Sequence, residues 1–140
     1  MTNNELEDEV GTRVVRLHPG STVSALWLST PIAYEDTRLG EALIDSLRSW
    51  AADYRLAVDE TRRWRSAEIA RRFAHEGNRL AGLLAEELGH GFDVEVPPLA
   101  GSPRRRFRCR MPARNATAAQ AFVAAAEGRL GDAGFVRATG

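Results

Sequence analysis

The chain has 140 residues with 19 basic and 19 acidic side chains, so its formal net charge is zero. That length can bury a core without staples and predicts one domain, while balanced charge excludes a global field drawing the chain to nucleic acid or an anionic membrane. No apolar run approaches the roughly 20 residues of a membrane span, and Cys109, the single cysteine, leaves no internal disulfide and no cysteine-based zinc framework. Glu5, Glu7, Asp8 and Glu9, with no basic or apolar leader pattern, predict a flexible acidic N-terminus over residues 1–11 and a cytoplasmic protein. Residues 12–140 are then the single domain.

Structure is expected to begin with residues 12–17 (TRVVRL), rich in β-branched side chains. His18-Pro19-Gly20-Ser21 has the residues of a type II turn, and residues 22–29 (TVSALWLS) read as a second strand, giving a hairpin. Residues 31–37 form a loop carrying Tyr34, Glu35 and Asp36, with Asp36 placed to cap the next helix. Leu39, Leu43, Leu47, Trp50 and Tyr54 step by three and four, the period of a helix facing a core. The charged connector 56–65 (LAVDETRRWR) brings Trp64 back towards that core.

The organising stretch is residues 66–96. Phe73, Gly77, Leu80, Leu84 and Leu88 form one helical stripe, while the opposite face is charged and includes a Glu68–Arg72 pair at i,i+4. Ser66 is placed to cap the first turn and Gly89 to end the last. Gly77 and Gly82 each cost about 1 kcal/mol against alanine inside a helix, so a packing reason is expected, at Gly77 a close crossing by another element. Phe92, Val94 and Val96 alternate with Asp93 and Glu95 as in a half-buried strand, which Pro97 and Pro98 end.

Residues 104–111 (RRRFRCRM) follow with period two. As a strand they place Arg105, Phe107, Cys109 and Met111 on one face and Arg104, Arg106, Arg108 and Arg110 on the other. Asn115 or Thr117 caps a third helix with Phe122, Ala126, Leu130 and Ala133 inward and Gly134 as its stop, and Phe135-Val136-Arg137 reads as a short last strand. The expected fold is α+β: a mixed, largely antiparallel sheet of four to five strands in the order β-β-α-α-β-β-α-(β), with a long helix across one face.

The arginine stripe is the strongest local chemical signal. Guanidiniums about 6.6 Å apart along one strand face suit phosphates or a carboxylate-rich protein surface. Equally, an antiparallel partner strand would set Asp93 and Glu95 against them as cross-strand pairs. Lysine is absent, as expected of codon bias in a GC-rich genome, so arginine identity alone says little about phosphate. Phe107 points away from the arginines, which weakens a base-stacking interface.

Other chemistry is sparse. His75-Glu76 lacks the second histidine of a metalloprotease helix, Arg79 standing four residues on. His18 and His90 lie in turns without a cysteine or carboxylate partner, and Cys109 falls on an inward face, so neither a metal nor a cofactor is expected. No nucleophile elbow, P-loop or dinucleotide fingerprint occurs.

Glu76-Gly77, Leu80-Ala81, Leu84-Ala85 and Glu87-Leu88-Gly89, followed by Phe92 and Val94 and preceded by Trp50, resemble a pattern in small uncharacterised proteins of high-GC bacteria. The resemblance covers about the middle third of the chain and implies no activity or site residues. From size and absent motifs, the expected function is a small cytoplasmic, non-catalytic module that binds a protein partner, of the immunity or accessory kind. Arg104, Arg106, Arg108 and Arg110 with Tyr34 and Glu35 are its candidate contacts. The alternatives are nucleic-acid binding through the arginines and an enzyme in which a pocket collects His90 or Cys109 with a carboxylate.

Overall fold

A computed structural model describes residues 13–99 and 101–128. The elements run β1 (Arg13–Leu17), β2 (Leu26–Trp27), α1 (Tyr34–Thr37), α2 (Glu41–Ala57), α3 (Ala67–Leu88), β3 (Phe92–Val96), β4 (Arg105–Arg108) and α4 (Ala116–Ala126). The sheet order is β2-β1-β3-β4, antiparallel except for the parallel pair β1–β3. It is an α+β fold with a mixed, largely antiparallel sheet and the long helix α3 packed on β3 and β4.

The helix-to-strand stretch follows its sequence closely. Ser66 Oγ accepts the amide of Ile69, and Gly89 ends α3 at φ 79°, as a glycine at a helix exit can do cheaply. Gly89 is also fixed by space, since an added Cβ would stand 2.6 Å from Ala113 Cα. Across the helical hairpin, the Trp50 indole fills the notch at Gly77, where a Cβ would meet Trp50 Cζ2 at 2.7 Å. Trp50 Nε1 donates to the Phe73 carbonyl at 2.9 Å, the two rings stack at 4.7 Å, and Trp64 closes on Phe73 at 5.5 Å. At Gly82 no atom lies within 4 Å of an added Cβ, so the packing reason expected there does not exist. On the exposed side of α3 the ion pair is Glu76–Arg79, not Glu68–Arg72.

Four sequence expectations are corrected. The turn at His18–Ser21 closes with Ser21 N donating to His18 O, but Gly20 does not have positive φ, so it is not type II. The second strand shrinks to Leu26–Trp27 because local acceptors capture its backbone donors: Ser21 Oγ takes the Ser24 amide, Tyr34 Oη the Ala25 amide and Ser24 Oγ the Leu26 amide. Residues 34–37 form the short helix α1, so Asp36 lies inside it and Gly40 takes the N-cap of α2. Strand β4 stops at Arg108, after which the chain crosses the end of α3. There the amides of Arg114 and Asn115 satisfy the carbonyls of Glu86 and Glu87, which have no partner within the helix.

Helix α4 likewise ends at Ala126, before a turn at Glu127 and Gly128 in which Gly128 has φ 78°, earlier than the stop expected at Gly134. Leu130, Ala133 and the strand expected at 135–137 lie outside the described residues. Asn115 joins three elements. Its Oδ1 caps Ala118, and its Nδ2 donates to Arg38 O at 2.9 Å and to Glu87 Oε1 at 3.0 Å. The same Glu87 oxygen accepts the Gly40 amide at the start of α2.

Candidate functional site

Strand alternation divides the sheet into two faces. Val15, Leu17, Phe92, Val94 and Val96 point into the core beneath α3 and α4, with Phe92 edge-on to Phe122 at 5.9 Å. The other face is covered by no described helix. Its register forms a cross-strand row, Trp27–Arg16–Glu95–Arg106, and beside it a second, Val14–Asp93–Arg108.

The middle strand β3 therefore carries a spine of two carboxylates. Asp93 and Glu95 have side chains only 5% and 6% exposed, whereas the sequence pattern puts them on a half-buried polar face. Arginines from both flanking strands close over them. Arg108 reaches both Asp93 oxygens, with Nη2 at 3.1 Å from Oδ2, and Arg106 Nη1 stands 3.6 Å from the same carboxylate. Arg16 Nε donates to Glu95 Oε1 at 3.0 Å, and Arg104 Nε lies 3.3 Å from Oε2. The pairing of the stripe with Asp93 and Glu95 is thus present, because β3 and β4 are antiparallel neighbours in the register that sets like faces together.

The candidate contacts part company here. Arg104, Arg106 and Arg108 share this face, but β4 ends before Arg110, which is exposed and makes no ion pair with either carboxylate. Tyr34 is 9% exposed; its hydroxyl accepts the Ala25 amide and Arg48 stacks 5.0 Å over its ring, so it positions β2 from within the fold. Glu35 is exposed on α1 and forms no ion pair with the arginines of these rows.

Arg16, Trp27 and His18 complete the face and were not among the candidates. The signal for Arg16 was available, since it alternates with Val15 and Leu17 in β1. His18 lies edge-on to Trp27 at 5.0 Å. Partial burial and the Arg16 charge lower its pKa below 6.5, and Glu95 opposes the shift.

Elsewhere, an apolar groove between the end of α2 and the start of α3 is lined by Trp50, Leu56, Ile69 and Phe73, with Asp53, Arg72 and Glu76 at its rim. Neither His90 nor Cys109 lines it, and Cys109 packs partly against the core. Among the described residues no group of three or more histidine, cysteine or acidic side chains is placed to hold a metal ion, and no helix is long and apolar enough to cross a membrane.

A family model described as "Serratia CdiI immunity protein-like" matches residues 13–98, which take in every element from β1 through β3. No curated protein matches the chain.

Proposed function

The chain belongs to the Serratia CdiI immunity protein-like family, and from that premise we propose that it binds and neutralises a protein toxin, with the outer sheet face as its docking surface. The family match carries the class of function. The face is supported by its own construction: charged groups are held in a fixed arrangement on a sheet that no described element covers. Side chains already immobilised lose less entropy when a partner arrives, so such a surface binds at lower cost than free arginines would. The encounter is assigned to the cytoplasm, in keeping with a chain whose single cysteine can form no internal disulfide.

The test is genetic. Fragments of the source genome that arrest growth when expressed alone are screened for those tolerated when this chain is co-expressed. At least one rescued fragment that forms a stoichiometric complex with the chain is expected. If no toxic fragment is rescued, the immunity reading fails.

A further inference from the structure

Among the described residues, the outer face sets four arginines against two buried carboxylates. Hydrogen bonds match Arg108 to Asp93 and Arg16 to Glu95 one to one. Arg104 and Arg106 are the remainder. Arg104 Nε is 3.3 Å from Glu95 Oε2, and Arg106 is 3.6 Å from Asp93 and 3.9 Å from Glu95, within electrostatic reach but without a hydrogen bond. Their side chains are 67% and 53% exposed. Among the described residues these two carry the excess positive charge of the face, their guanidiniums held at ion-pair distance over the carboxylate spine without a hydrogen bond to it.

We infer that Arg104 and Arg106 form a clamp for carboxylates on an acidic patch of the protein partner, an inference that rests on the outer sheet face being the docking surface. A guanidinium offers two parallel N–H donors in a plane, the geometry a carboxylate accepts. Alternate positions on an extended chain lie about 6.6 Å apart, a spacing that acidic side chains on one face of a strand or helix can match.

Nucleic acid fits less well. The surplus is two charges rather than a continuous basic track, Asp93 and Glu95 lie directly beneath it, and Trp27 stands across β1 and β3 instead of between the arginines. The acidic spine orients the arginines and also repels a run of phosphates.

The inference is tested by following arginine Nε–H signals by NMR in dilute salt. Three probes are added: an eight-residue glutamate peptide, the matching glutamine peptide and an eight-residue oligothymidylate. Arg104 and Arg106 are expected to shift with the glutamate peptide, at least fivefold less with glutamine, while Arg79 and Arg114, which lie off the face, stay still. The double variant R104Q/R106Q removes the response. It leaves Arg16 and Arg108 on their carboxylates, so its melting temperature should stay within a few degrees of the parent.

A stronger response to oligothymidylate at equal charge, equal shifts at Arg79 and Arg114, or no shift overturns the clamp. The growth-rescue assay separates the two levels of the argument. Rescue is expected to be lost in R104Q/R106Q. If it survives there but is lost in Trp27→Arg, once native melting of that variant is confirmed, the clamp falls and the docking face stands. If it survives both, the docking face falls with it.

Discussion

The Trp50 indole occupies the space that a side chain at position 77 would need, with Trp50 Cζ2 2.7 Å from where a Cβ would stand. Its indole N–H is tied to the Phe73 carbonyl one helical turn away and its ring is stacked on Phe73, so it has no room to yield. Gly77→Ala gains about 1 kcal/mol of helix propensity and loses more to overpacking; a net destabilisation of about 1–2 kcal/mol is expected in urea unfolding. Gly82→Ala meets no atom and should stabilise the same helix by about 0.5–1 kcal/mol. Equal effects at the two glycines would contradict the close crossing.

The arginines over β3 should separate into structural and surplus members. Arg108→Gln removes both hydrogen bonds to a buried carboxylate whose other ion pair among the described residues is the longer Arg106 contact, and a loss of about 1–2 kcal/mol is expected. Arg104→Gln, at a side chain 67% exposed beside a Glu95 still held by Arg16, should change stability by less than about 0.5 kcal/mol. Chemical denaturation of the two variants checks the contrast.

His18 gives the face an acid-side pH dependence. Partial burial, with Arg16 adding to it, sets its folded pKa below the ordinary 6.5, so the unfolded chain binds the proton more tightly. Stability from this group is complete above about pH 6.5 and is lost as pH falls through the lowered folded value. An imidazole titration by NMR should give a midpoint below 6.5, and His18→Gln should flatten the stability profile in that window. A midpoint at or above 6.5 would remove the argument.

Asn115 is a helix cap with duties beyond the helix. Asn115→Ala loses the cap and both Nδ2 bonds, for an expected cost of about 2–3 kcal/mol. Asn115→Asp retains a good capping oxygen but loses the donors to Arg38 and Glu87 and sets one carboxylate against another. It should also destabilise, by about 1–2 kcal/mol, although aspartate and asparagine cap isolated helices about equally well. A neutral Asn115→Asp would mean that the bridge to α2 contributes nothing.

What the sequence made legible depended on how local the physics was. The bounds of α3, its Ser66 and Gly89 caps, strand β3, the Gly77 crossing and the docking of Trp64 all follow from helical or strand period and single-residue geometry. Strand β2 was overestimated because serine and tyrosine hydroxyls, one of them nine residues away, intercept its amides. Strand β4 and Arg110 were misjudged because the end of α3 diverts the chain, a tertiary demand without a local pattern. The candidate face was half visible: the arginine stripe and its two acidic partners were read from alternation. Alternation marks Arg16 as an outward position of β1, but its place beside Glu95, and that of Trp27 next to it, come from the pairing of β1 with β3 and β2, which no periodicity encodes.

That parallel pairing has a kinetic consequence. Arg16 and Glu95 are 79 positions apart, and both helices of the hairpin lie between them. Closing so long a loop costs entropy before the contact rewards it, so β1 is expected to dock late and the two flanks of the arginine cluster to meet towards the end of folding. An incompletely folded chain would present the β4 arginines without the β1 side of the face. For a partner docking on the whole face, as proposed, recognition would also verify that the molecule is finished.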